Sequence, residues 1–194
     1  APEAQAPEHL EVGPSQPLVD SGNKTAVLVL TALLDAEKRA ALPSQQVLLY
    51  GPVGVGKSFL LRWFEGGLAR RPLYFAGEEL VRTYQATFRE HRAGRFTQEL
   101  VDAPTLCLDE LHRINGAERV QSELVTALQA RAEAGRMTVL ASRWHPRDVW
   151  KLSPILESVL LSGFVAALEY PGLDARLRYL RALEGPASRN GLAT

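Results

Sequence analysis

Cysteine is nearly missing from this sequence: Cys107 is the only one in 194 residues. A lone thiol excludes an internal disulfide, and its place in the apolar run TLCLD reads as a buried strand residue rather than a redox group. Neither sign of charge prevails, with 22 Lys+Arg against 22 Asp+Glu. A dedicated nucleic-acid binder is usually clearly basic, so any DNA contact must come from a local patch. Long apolar runs are also missing. AVLVLTALL and VLLSGFVAAL are too short or too interrupted to span a bilayer. The opening APEAQAPEHLEVGPSQP has no charged segment followed by an apolar core, so it does not read as a signal peptide. Together these features predict a cytoplasmic chain with no membrane partner. The first residue is not methionine, which reads as a piece of something longer.

What remains is ordinary globular material, 46% hydrophobic and 23% charged, enough for one buried domain. Residues 1–20, rich in Pro, Ala, Glu and Gln, read as a flexible linker. The core is expected over 21–185, with a tail at 186–194. A helix is expected from Asn23 to about Ala41, stopped by Pro43. The chain then alternates. QVLLY, PLYFA, TLCLD, MTVLAS and FVAALEY read as strands, separated by KSFLLRWFEGGLARR, EELVRTYQATFREHRAGRFTQEL and AERVQSELVTALQARAEAG as helices. The second helical stretch should break near Gly94. RWHPRDVWKLSPILESVLLSG reads as polar, and DARLRYLRALEG as a final helix. Short apolar strands alternating with longer helices predict an α/β, three-layer domain around five parallel strands.

GPVGVGKS fits G-x-x-x-x-G-K-[ST] with Gly51, Gly56, Lys57 and Ser58 in place. Glycines let successive backbone N–H groups turn inward onto phosphate oxygens, and the following helix points its positive end at the same spot. Residues Gly51, Pro52, Val53, Gly54, Val55, Gly56, Lys57, Ser58 and Phe59 are therefore candidates to hold ATP or ADP. Lys57 supplies a movable charge for the β- and γ-phosphates, and Ser58 offers its hydroxyl to Mg²⁺. The strand TLCLD delivers the expected acids, Asp109 for Mg²⁺ and Glu110 to polarise the attacking water. Lys57 and Glu110 are thus the catalytic candidates. At the end of MTVLAS, either Ser142 or Arg143 could meet the γ-phosphate or the water.

The order of these blocks resembles the AAA+ class of P-loop NTPases, and more narrowly the ATPase domain of the bacterial replication initiator DnaA family, with its Hda-like relatives. LLYGPVGVGKSFLL, LCLDELHRI, ERVQSELVTALQARAEAGRMTVLASRWHPRDV and AALEYPGLDARLRYL carry the likeness, and Asn23 falls in the family's adenine-proximal segment. The resemblance implies an extra helical hairpin before the acidic strand, used for assembly and for single-stranded DNA. EELVRTYQATFREHRAGRFTQEL fits there, offering Arg82, Arg89, Arg92 and Arg95 beside Tyr84, Phe88 and Phe96. The same pattern suits an amphipathic hairpin with core aromatics and merely solvated arginines, and the sequence leaves both open.

Three departures bear on activity. The family's second strand-end Asp is replaced by Glu110, and Val159 falls where the resemblance places an arginine finger that reaches a neighbour's ATP. A missing finger removes roughly 10³–10⁵ in rate where it has been measured. Arg143 stands where the family has an acid. The family's helical lid and its helix-turn-helix DNA-binding domain are expected to be absent from these residues. The resemblance therefore implies an ATP-binding protein of DNA replication with weak or partner-dependent hydrolysis, self-assembling or joined by another AAA+ subunit. A non-hydrolysing nucleotide-switch adaptor and an IstB-like transposition helper remain as alternatives.

Overall fold

The computed structural model describes residues 16–184. Residues 1–15 of the expected linker and the expected tail at 186–194 lie outside them. Five strands, β1 (Gln46–Tyr50), β2 (Leu73–Ala76), β3 (Thr105–Asp109), β4 (Met137–Ser142) and β5 (Phe164–Ala167), form one sheet in the order β2-β3-β4-β1-β5. Every pairing is parallel. Parallel strands need crossovers, and here helices supply them on both faces.

Each strand feeds two cores by simple alternation. Leu48, Leu106, Leu108 and Leu140 face one side, packed by α4 (Gly77–Arg89), α5 (Ala93–Asp102), α6 (Glu118–Glu133) and α7 (Pro154–Leu161). Their neighbours Val47, Leu49, Cys107, Val139 and Ala141 face the other, under α1 (Lys24–Leu34) and α3 (Lys57–Gly66). Because side chains alternate faces along a strand, a run buried at every position means a strand covered on both sides. Cys107 is fully buried, and burial pushes its thiol up to about 12.

The structure differs from the sequence reading in several elements. The expected helix from Asn23 to Ala41 is two, because Asp35 interrupts it. The Asp35 carboxylate accepts the N–H groups of Glu37 and Lys38 at 3.0 and 3.2 Å, capping a new short helix, α2 (Ala36–Ala41). The hairpin breaks at Glu90–Arg92, where His91 takes a positive φ, and Gly94 lies inside α5. The stretch read as polar folds into a short 3₁₀ turn at Pro146–Asp148 and then α7, which Ser153 caps by accepting the Leu156 N–H at 3.2 Å. A last helix, α8, spans Leu173–Glu184. No helix among the described residues is long and apolar enough to cross a membrane.

Arg131, on α6, is wholly buried. It donates to the carbonyls of Leu100 and Ala103 at 2.7 Å each, to those of Val101 and Met137, and to Thr138 Oγ1 at 2.9 Å. One side chain thus ties the end of α5 to β4. Burial depresses its guanidinium to about 10. Arg131→Met should cost about 3 kcal/mol of stability, since it strands buried carbonyls without a donor; urea denaturation that leaves the midpoint unmoved would contradict this tie.

Candidate functional site

The loop Gly51–Ser58 leaves the end of β1 and enters α3. Gly54 and Gly56 have φ of 83° and 97°, a left-handed backbone that L side chains resist, and no atom lies within 4 Å of where either Cβ would stand. Nothing therefore crowds the loop at these two positions, where its backbone turns. Lys57 Nζ lies against it, donating to the carbonyls of Gly51 at 2.7 Å and Pro52 at 2.6 Å. Burial lowers the ammonium's pKa, with Asp109 pulling the other way and Arg143 adding to the lowering.

Across from the loop stands the end of β3. Asp109 is 7% exposed; its Oδ1 accepts the Glu110 N–H at 2.8 Å and its Oδ2 accepts the Tyr74 hydroxyl at 3.3 Å. Burial, reinforced by the Asp109 charge, pushes the Tyr74 phenol well above its ordinary value. Glu110 is a non-glycine residue at φ 50°, ψ 40°, a conformation that costs about 1 kcal/mol or more. Its side chain is exposed, and its carbonyl accepts the Arg113 N–H at 2.8 Å.

These groups enclose a cleft of about 320 Å³. It brings together Val53, Gly54, Gly56, Lys57, Ser58 and Phe59 from the loop with Asp109 and Glu110 opposite. Of the remaining candidates, Gly51 and Pro52 hold Lys57, while Val55 faces a second hollow of about 330 Å³ beside the loop. Leu18, Asp20 and Asn23 line that hollow from the other side, together with Tyr179 of α8. Asn23 fixes the segment: its Oδ1 accepts the Asp20 N–H and its Nδ2 donates to the Leu18 carbonyl, both at 2.9 Å.

Three further residues line the cleft, His112 and Arg113 after β3 and Arg143 after β4. Ser142 is 1% exposed, and its Oγ accepts the Trp144 N–H at 3.2 Å, so of the two candidates at the end of β4 it is Arg143 that reaches the cleft. The Arg143 N–H donates to Nδ1 of His112 at 3.2 Å. Burial pushes the His112 imidazole down, which keeps Nδ1 free to accept. Sequence reasoning passed over His112 although it stands inside the LCLDELHRI block, because nothing in the sequence says that it meets residue 143.

Gly77 was missed for the same reason. It opens α4, and a Cβ there would come within 2.4 Å of the Glu110 carbonyl oxygen. Elsewhere on the hairpin, Tyr84 and Phe96 are 5% and 3% exposed and belong to the core. Phe88 is 45% exposed beside a third hollow, between α4 and α6, with the Arg119 guanidinium 4.8 Å from its ring centre.

Comparison with known proteins places this geometry. The family model for the bacterial DnaA ATPase domain matches residues 17–167. The chromosomal replication initiator protein DnaA of Caulobacter sp. strain K31 is 30% identical over 151 residues, which is 75% of this chain and 31% of that protein. This chain spans about a third of the length of the curated relatives it matches. Among solved structures, AMPPCP-bound DnaA from Aquifex aeolicus superposes with a TM-score of 0.77 at 21% identity, covering 89% of this chain and 55% of that one. A replication initiator DnaA bound to AMPPCP and single-stranded DNA gives 0.73 at 22%, covering 83% and 52%. At these identities the structural likeness establishes the fold, the AAA+ α/β core.

The clearance at Gly77 makes a paired test. Gly77→Ala should destabilise by about 1–3 kcal/mol, because backbone on both sides of the contact must shift. Gly94→Ala, at a helical position with nothing within 4 Å, should be neutral or stabilise by up to about 1 kcal/mol. Thermal melts of the two variants that coincide would overturn the argument.

Proposed function

Since the chain belongs to the bacterial DnaA ATPase family, we propose that it is an ATP-binding AAA+ core serving the initiation or regulation of DNA replication, with weak or partner-dependent hydrolysis. The observation that carries this reading is the convergence of the glycine loop with Asp109 and Glu110 on one cleft. The N–H groups of the Gly51–Ser58 loop hold the phosphates, and the N-terminus of α3 adds its dipole. Lys57 trades its two carbonyl partners for β- and γ-phosphate oxygens. Val55, Phe59 and Asn23 border the adjoining hollow, which accepts the nucleoside.

Hard oxygen donors fit Mg²⁺, which takes one or two protein ligands and completes its shell with phosphate oxygens and water. Ser58 and Asp109 line the same cleft and are the residues that would hold it. When bound, the ion neutralises charge developing on the phosphate oxygens. Glu110, which lines the cleft, orients and deprotonates the attacking water.

Val159 argues for weak hydrolysis. Its side chain is half-buried against the core, and α7 carries no basic residue. The same observation favours a second reading, a nucleotide-switch adaptor that binds without turning over. The family match favours the initiator side over an IstB-like helper. Single-stranded DNA is the proposed ligand of the hairpin. Arg82 and Arg89 are exposed and take part in no ion pair among the described residues, whereas Arg92 pairs with Glu90 and Arg95 with Glu99. The half-exposed Phe88 ring under Arg119 offers a stacking surface. We place the protein in the cytoplasm.

Calorimetric titration with ATP and Mg²⁺ tests the site. Lys57→Ala should weaken binding about 100-fold, the worth of a charge-assisted phosphate contact; tight binding by that variant would sink the assignment. Glu110→Gln should keep affinity and abolish turnover. Turnover per chain that rises with protein concentration argues for assembly, and none at any concentration argues for the adaptor.

A further inference from the structure

Three side-chain hydrogen bonds reach the carbonyls of the Gly51–Ser58 loop among the described residues. Two come from Lys57, which belongs to the loop itself. The third comes from outside: the Tyr170 hydroxyl donates to the Val53 carbonyl at 2.9 Å. Tyr170 reaches the loop from a fixed base. β5 ends at Ala167 opposite Tyr50, and the Leu168 N–H donates to the Tyr50 carbonyl at 2.7 Å. On either side of Tyr170, the Glu169 N–H donates to the Gly22 carbonyl at 3.0 Å and the Gly172 N–H to Asp20 Oδ2 at 3.3 Å. The ring is 57% exposed and lines neither hollow beside the loop. It acts as a strut, not as a piece of core.

The bond fixes more than one oxygen. Across a trans peptide the C=O and N–H point in opposite directions, and no peptide among the described residues is cis. Holding the Val53 oxygen toward the exit of β5 therefore turns the Gly54 N–H the other way. In the strand order β2-β3-β4-β1-β5, β5 lies on one side of β1, while β3 with Asp109 lies on the other. The cleft that Gly54 lines is on that second side.

Glycine is what makes a strut useful here. The freedom that admits Gly54 at φ 83° also lets the peptide before it flip. Resting on the reading of this cleft as a nucleotide site, we propose that Tyr170 is a positioning residue: through the Val53–Gly54 peptide it presets the Gly54 N–H for a phosphate oxygen. Lys57 gives up its two carbonyls when it turns to phosphate, and Tyr170 is then the side chain still holding the loop. Without it the nucleotide must order this peptide as it binds, and affinity falls by that cost.

The test uses the full chain in Mg²⁺ and the variant Tyr170→Phe, which removes only the hydroxyl. Calorimetric titration should show affinity for ADP and for AMPPCP falling together by about 3- to 10-fold, the worth of one neutral hydrogen bond. The Gly54 amide supplies a readout that a merely structural role would not move. In the nucleotide-free wild type its NMR relaxation dispersion should be flat; in Tyr170→Phe it should show exchange, while the amides of α3 stay as they were. Unchanged affinity for either nucleotide, or a loss with the Gly54 amide as quiet as in the wild type, refutes the proposal. Lys57→Ala separates the two layers. If that variant binds both nucleotides like the wild type, the cleft reading fails; if it loses both while Tyr170→Phe binds them normally, the Tyr170 assignment alone fails.

Discussion

Five strands running in one direction put all their carboxyl ends on one edge of the sheet, and the rest of the molecule's chemistry hangs on that edge. The glycine loop follows β1, the acid pair Asp109 and Glu110 ends and follows β3, and Arg143 follows β4. The three segments are far apart in sequence and meet because the strand order sets β1 beside β4 and β4 beside β3. The crevice beyond the carboxyl ends of such a sheet is where open α/β folds bind ligands. Register keeps the arrangement exact to one residue: a slip would send every side chain of the strand to the opposite core. Tyr50 opposite both Ser142 and Ala167 pins the loop's origin from both sides.

Behind that edge the backbone is crowded where the site is most particular. Glu110 takes a left-handed conformation, its amide bonded to the Asp109 carboxylate and its carbonyl pressed toward the first turn of α4. Strained residues persist only where the surroundings over-determine them. Here the determinants are the Asp109 oxygen, the Arg113 N–H and the side-chain-free surface of Gly77.

The parts of this arrangement that were legible in the sequence are those encoded locally. The glycine pattern, the apolar alternation of the strands and the acids ending TLCLD each lie within a few residues, so the strands and the loop could be drawn before the fold was known. The rest depends on contacts between distant segments. Gly77 looks like any helix-opening glycine until Glu110 is placed against it, and His112 looks like a loop histidine until residue 143 arrives. Tyr84, Phe88 and Phe96 share one amphipathic helical pattern, and only packing separates the two core rings from the exposed one. Two misreadings were local and avoidable. Asp35 before Glu37 and Lys38 is an N-cap signal, and Ser153-Pro154 is another, but the apolar content around the first and the polar residues before the second outweighed them.

Arg131 gives the inserted hairpin two faces that obey different solution chemistry. Its partners are carbonyl oxygens and one hydroxyl, none of which titrates with acid. Strong acid protonates surface carboxylates such as Asp102, whose pKa the hydrogen bonds of Gln98 and Arg136 lower, and salt screens its pairing with Arg136 on the same joint. Neither reaches the buried tie. The outer arginines of the hairpin answer to the ionic medium, while its attachment to the sheet is insulated from it. An ionic change therefore weakens contacts made by the outer arginines without loosening the hairpin itself.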